Sequence, residues 1–161
     1  MYYCDTRNDR YYRFSDKHEA IVLVGLSKNQ LEQLPKDIIG ITRTNNIEEL
    51  AEIYTCADVF FNPTLEEVMG LTNVEAQACG TPVITFNTGG SIETVDNSTG
   101  LIVEKGNLEE AIKMIRRVKT EGKDKYRDFC IKRASKYYNK DDRFQEYIKL
   151  YKSLGEEVAI Y

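Results

Sequence analysis

The sequence predicts an α/β fold, with a mostly parallel sheet and helices gathered toward its C-terminal end. Three observations carry this. Short apolar runs alternate with amphipathic stretches from Ile21 onward. The runs are continuously apolar rather than alternating, as in strands covered on both faces. Beyond residue 106 the strand pattern stops and helical periodicity takes over, so the sheet is followed by a helical tail.

Taken in order, Ile21 to Val24 is an apolar run that stops at Gly25, and residues 27–34 form a short helix closed by Pro35. Residues 38–42 are a second strand. Asn46 opens a helix with Glu49 three residues on, a variant of capping-box spacing. In it Ile47, Leu50, Ala51 and Tyr54 recur at helical spacing and are expected to face the core. Residues 57–61 are a third strand, ended by Asn62-Pro63. A compact helix over 72–79 is broken by Gly80 and Pro82, and a fourth strand spans 82–86. Gly89-Gly90 breaks that strand, a helical turn follows at 91–95, a turn cluster at 96–100, and a fifth strand at 101–103. Asn107 and Glu110 begin a helix to about Thr120, followed by helices over 124–138 and 141–154. The last carries Phe144, Tyr147, Ile148 and Tyr151 on one face. Most amphipathic helices cover their own core, so this face is expected to pack on the sheet.

Composition narrows the function classes. At 161 residues, 42% hydrophobic and 30% charged, the chain suits one globular domain with a core that needs no disulfide staples. Its net charge of −4, from 22 basic and 26 acidic residues, argues against a nucleic-acid binder, which needs a concentrated basic face. The four cysteines, Cys4, Cys56, Cys79 and Cys130, form no CxxC pair, and the single histidine is His18. No zinc site is expected from that spacing, and a reducing, cytosolic setting fits it. No apolar run approaches the roughly 20 residues of a membrane span, and the first 13 residues lack the apolar core of a secretion signal. A dinucleotide-dependent oxidoreductase would need a G-x-G-x-x-G turn after the first strand, which Gly25-Leu26-Ser27 does not provide.

The chemistry concentrates in residues 62–83, a strand end, an acidic loop with one glycine, a helix and another strand. The helix start offers unpaired N–H groups and a positive dipole end, which suits a diphosphate without a metal. Gly70 lets a ligand approach the backbone, and open parallel sheets bind ligands at the carboxyl ends of their strands. Plainer readings stand beside this one. Thr72 and Glu75 have capping-box spacing, Glu66 and Glu67 suit a solvated loop, Arg43 suits a surface charge, His18 a linker, and Cys79 packing as a small hydrophobe.

This segment resembles the donor-binding signature of the retaining glycosyltransferases of family 4. Glu67 and Glu75 have that signature's glutamate spacing, and Ala78-Cys79-Gly80-Thr81-Pro82-Val83 completes it. The likeness extends from about Ile21 to about Ile115, through Ala57-Asp58-Val59-Phe60, Gly89-Gly90-Ser91-Ile92-Glu93 and Thr99-Gly100-Leu101-Ile102-Val103. It implies a Rossmann-like three-layer domain corresponding to the C-terminal half of a GT-B enzyme. Residues 20–154 would form that nucleotide-sugar-binding domain, with an atypical segment at 1–19 and a tail at 155–161. By the resemblance, Glu67 or the adjacent Glu66 would hold hydroxyls of the donor sugar. Glu75 would take the ribose diol, and the amides of Gly70, Leu71, Thr72 and Asn73 the diphosphate. Thr42, Arg43 and Thr44 would lie beside the base.

Met69 stands where the family usually has an aromatic residue, and the family's opening strand with its Arg and Lys is not recognisable. Met1 to Cys4 could supply a substitute strand, with Arg7, Arg10 or Arg13 near the phosphates and more than the dozen or so residues a parallel crossover needs before Ile21. The implied function is transfer of a hexose from a UDP- or GDP-sugar to a glycan or polysaccharide, with retention of configuration. No protein nucleophile, metal or organic cofactor is implied. The alternatives are a non-catalytic nucleotide-binding or interaction module, or one chain of a two-chain transferase. The implied partners are the nucleotide sugar and either a separate acceptor-binding domain or a second copy. The implied location is cytoplasmic, or peripheral to the membrane.

Overall fold

The computed structural model describes residues 19–158. The strand expected at Met1 to Cys4, the three N-terminal arginines and His18 lie outside them.

Among the described residues, five short strands alternate with helices in the expected order. β1 (Ile21–Val24) and β2 (Ile38–Ile41) flank α1 (Lys28–Glu32), and α2 (Ile47–Cys56) precedes β3 (Phe60–Asn62). α3 (Leu71–Ala78) leads to β4 (Val83–Phe86), and a 3₁₀ turn (Gly89–Thr94) leads to β5 (Gly100–Val103). Helices α4 (Leu108–Glu121), α5 (Asp124–Tyr138) and α6 (Lys140–Val158) complete the chain, α6 running past the expected end at 154. Local chemistry explains the starts. Ser27 and Gln30 form a reciprocal capping box on α1. Asn46 caps α2 through the Glu49 amide at 2.8 Å, while the Glu49 carboxylate reaches back to the Asn45 amide at 2.7 Å, one residue short of a true box.

Every ladder is parallel: Ile21 opposes Ile38, Phe60 opposes Val83, and Val83 opposes Gly100. The third strand starts later than the residue pattern suggests. Ala57 and Val59 are buried, and Ala57 is extended, but pairing begins only where the Phe60 amide donates to the Pro82 carbonyl at 2.9 Å. Pro82 has no N–H to continue the ladder backward.

Among the described residues the strands form two sheets, β1-β2 and β3-β4-β5, where a single sheet was expected. No ladder joins β1 to β3. They meet through side chains, since Ile21 and Leu23 share one apolar cluster with Phe61, Ile84, Phe86 and Val103. Ala111, Ile115 and Val118 of α4 and Tyr126 and Cys130 of α5 close that layer. Alternate residues face the other way. Phe60 and Val83 pack with Tyr54 of α2 and Ala76 of α3, which makes the third layer.

The last helix departs from expectation. Phe144, Tyr147 and Tyr151 are 63%, 60% and 70% exposed, so its aromatic face does not cover the sheet. α4 and α5 pack with the strands in one apolar cluster, and α2 and α3 in the other, and neither cluster includes a residue of α6.

Candidate functional site

β3 delivers the chain into the acidic loop at Asn62. The buried Asn62 amide donates to Asn73 Oδ1 at 2.9 Å, and its Oδ1 accepts the Thr64 amide at 3.3 Å. Thr64 Oγ1 donates to the Glu66 carbonyl at 2.8 Å, which curls the loop. The tandem acids then differ. Glu66 is exposed, while Glu67 is half-buried and its Oε1 accepts the amides of Val68 (3.0 Å) and Met69 (3.4 Å).

The far side of this loop rests on the 3₁₀ turn. The Gly90 amide donates to the Glu67 carbonyl at 3.1 Å. A Cβ on Gly89 or Gly90 would stand 1.9 Å from the carbonyl oxygen of Glu67 or Val68. The two glycines are therefore required by close backbone approach.

α3 begins at Gly70, whose φ of 74° is left-handed, with no side-chain cap. Thr72 is thus inside the helix, and Glu75 is not part of a capping box. The Asn73 amide is engaged with the Gly70 carbonyl at 2.9 Å. That leaves the amides of Gly70, Leu71 and Thr72 as the ones an α-helix start cannot pair internally. The Asn73 side chain points inward, its Nδ2 donating to Ser91 Oγ (3.0 Å) and Thr94 Oγ1 (2.9 Å).

Glu75 is exposed, and its Oε2 accepts the Tyr54 hydroxyl at 3.2 Å. Thr72 and Glu75, three residues apart, share a helix face. They line a cavity of about 170 Å³ with Tyr54, Phe60, Val24 and Gly25. Thr42, Arg43 and Thr44 follow β2 at the same end of its sheet, but they do not line this cavity. A second depression, about 490 Å³, lies on the other side of α3 between Met69, Leu71 and Val74 and the tyrosines Tyr137, Tyr138 and Tyr147. No cluster of metal-ligating side chains occurs among the described residues, and none of their helices is long and apolar enough to cross a membrane.

Of the residues expected at the site, Glu66 and Glu67 lie in the loop before Gly70 and Glu75 lies in α3; of these four only Glu75 lines the smaller cavity. Helical spacing assigned Tyr54 to the core, where it is buried, but it did not show that the Tyr54 hydroxyl meets Glu75 or that Asn73 turns inward. A hydroxyl on an otherwise apolar helix face was the one available signal for Tyr54.

Parallel strands between helices, with an acidic loop leading from the carboxyl end of β3 into α3, define a Rossmann-like domain. The structure aligns with sucrose-phosphate synthase from Thermosynechococcus elongatus at a TM-score of 0.74 and 25% identity, over 84% of this chain and 38% of that one. TarM shares the fold at a TM-score of 0.63 and 18% identity, over 81% of this chain and 28% of its own. The sequence profile of the glycosyl transferases group 1 matches residues 12–121, and the chain belongs to that family. Curated relatives include D-inositol 3-phosphate glycosyltransferases. The protein from Corynebacterium jeikeium (strain K411) is 38% identical over 105 residues, covering 57% of this chain and 25% of the relative. That from Corynebacterium kroppenstedtii is 43% identical over 89 residues, covering 52% of this chain and 20% of the relative. The matched part thus spans a quarter or less of these relatives' length.

Proposed function

We propose that this chain binds the nucleotide-sugar donor in a glycosyl transfer, carrying a hexose on UDP or GDP to a glycan or polysaccharide acceptor with retention of configuration. The observation that supports it most is the setting of Glu75. Its carboxylate is not used to cap α3, and it lines a cavity beside β1 together with Thr72 of the same helix, whose first amides have no partner within the helix.

In this reading the amides of Gly70, Leu71 and Thr72 and the positive end of α3 take the diphosphate. Asn73 acts through its side chain, which holds that first turn in place. Glu75 accepts two hydrogen bonds from the ribose diol, a role suited to an acceptor-only carboxylate. Glu67 faces the donor sugar with Oε2, since its bonds to the loop amides use Oε1, and Glu66 stands beside it. Thr42, Arg43 and Thr44 border the base from the end of β2. Breaking the sugar–phosphate bond leaves negative charge on the diphosphate, which preorganised N–H groups stabilise. The reading calls for no metal, organic cofactor or protein nucleophile. The acceptor is held by a separate domain or a second copy, in the cytoplasm or at its membrane surface.

Calorimetry with UDP, GDP and their hexose conjugates tests this. One nucleotide should bind, and Glu75→Ala should weaken it about tenfold or more, as expected for lost bonds to a charged group. No binding of either nucleotide at about millimolar concentration (a binding energy near −4 kcal/mol) would sink the proposal.

A further inference from the structure

Tyr54 lies in the last turn of α2 and is 6% exposed. Three contacts fix it. Its ring meets Phe60 edge-on with centroids 5.4 Å apart. Its carbonyl accepts the Thr81 hydroxyl at 2.6 Å and the Ala57 amide at 3.1 Å. From this anchored ring the hydroxyl reaches across to Glu75 Oε2 at 3.2 Å, joining residues on separate helices. Glu75 itself is exposed, and an exposed glutamate samples several rotamers, most of which turn its carboxylate away from any one ligand.

We infer that Tyr54 is a positioning residue for ribose recognition, holding the Glu75 carboxylate toward the cavity that both residues line. The inference rests on the reading of Glu75 as the ribose-binding group. A carboxylate offers about four lone-pair sites. One bond from Tyr54 to Oε2 leaves Oε1, and the remaining site on Oε2, for two ribose hydroxyls. The tyrosine is the donor in this bond, so the carboxylate faces the cavity with acceptor sites. The site therefore selects for a ligand that donates, which is a ribose with both hydroxyls rather than a dideoxyribose.

The test compares UDP and GDP with their 2′,3′-dideoxy counterparts by calorimetry, on the wild-type chain and on Tyr54→Phe, Glu75→Ala, Glu75→Asp and the double variants. Phenylalanine keeps the ring and its contact with Phe60, and thermal unfolding of each variant checks that it folds. The wild type should prefer the ribonucleotide by about tenfold or more. Tyr54→Phe should lower ribonucleotide affinity by roughly three- to tenfold, through the rotamer freedom restored to Glu75, and leave dideoxynucleotide affinity unchanged. It should add nothing on a Glu75→Ala background. Glu75→Asp, too short to meet Tyr54 and the diol together, should give a similar loss with no further effect of Tyr54→Phe. Equal weakening of both nucleotides by Tyr54→Phe would mark a general packing role and overturn the inference, as would no change at all. If Glu75→Ala abolishes the preference while Tyr54→Phe leaves it intact, only the role of Tyr54 fails. If Glu75→Ala leaves the preference intact, the ribose reading of Glu75 fails and takes this inference with it.

Discussion

At the scale of single residues, Asn73 does the most to shape the site. Its side chain ties β3 to the 3₁₀ turn through Asn62, Ser91 and Thr94, all of them buried. The same turn is held from outside by Arg133. Its Nη1 donates to Asp96 Oδ2 at 2.6 Å, its Nη2 to the Glu93 carbonyl at 2.7 Å, and its Nε to the Thr94 carbonyl at 3.1 Å. Removing Asn73 would leave the Asn62 amide and two hydroxyls facing a dry gap. Asn73→Ala is expected to destabilise the fold by about 2–4 kcal/mol, read as a lower urea midpoint with an unchanged slope. A loss well under that would mean the network reorganises around the gap.

At the scale of elements, the acidic loop and the 3₁₀ turn act as one unit. Gly90→Ala would put a methyl group 1.9 Å from the Val68 carbonyl oxygen and 3.1 Å from Met69 Cα. Both are backbone atoms, so no change of rotamer relieves the clash and the loop must move. Nucleotide affinity should fall by about tenfold, because the groups that position a ligand tolerate little displacement. Unchanged affinity would show that the loop does not border the ligand. The last helix makes the opposite case. Its apolar side chains are exposed, so Tyr151→Ser and Leu150→Ser should each change stability by less than about 0.5 kcal/mol. Thermal unfolding would reveal a loss of a few kcal/mol if those side chains were packed.

For the whole molecule, the joint between α4 and α5 adds to acid sensitivity. Glu121 accepts from Lys125 Nζ (2.8 Å), from the Tyr126 hydroxyl and from Arg117 Nε (2.9 Å). These bonds, Lys125 first, hold its carboxyl down to about 2 from an ordinary 4.5. Burial, and then the same carboxylate, push Tyr126 up to about 12. A carboxyl that is more acidic folded than unfolded contributes stability above about pH 4.5 and loses it as pH falls toward 2. Asp96 acts in the same direction. Burial raises its pKa, but the Ser98 hydroxyl and amide and the charge of Arg133 prevail and lower it. Melting temperature should therefore drop between pH 4.5 and 2, and drop less in Glu121→Gln than in the wild type. Parallel curves for the two would remove Glu121 from the account.

The order of strands and helices, the breaks at Gly25, Pro35, Asn62-Pro63 and Gly89-Gly90, and the loop that carries Glu66, Glu67 and Gly70 into α3 were all legible along the chain. Each is recorded in neighbouring residues, through apolar periodicity or the φ limits of glycine and proline. Tertiary structure alone decided the rest. β3 pairs only from Phe60 because Pro82 lies opposite. Glu75 and Tyr54, and Asn73 and Thr94, are each 21 residues apart and meet only once α2, α3 and the 3₁₀ turn have packed. The aromatic face of α6 stays open because both buried clusters close without it. Such outcomes depend on which surfaces remain free after distant segments meet, and no local pattern of residues encodes that.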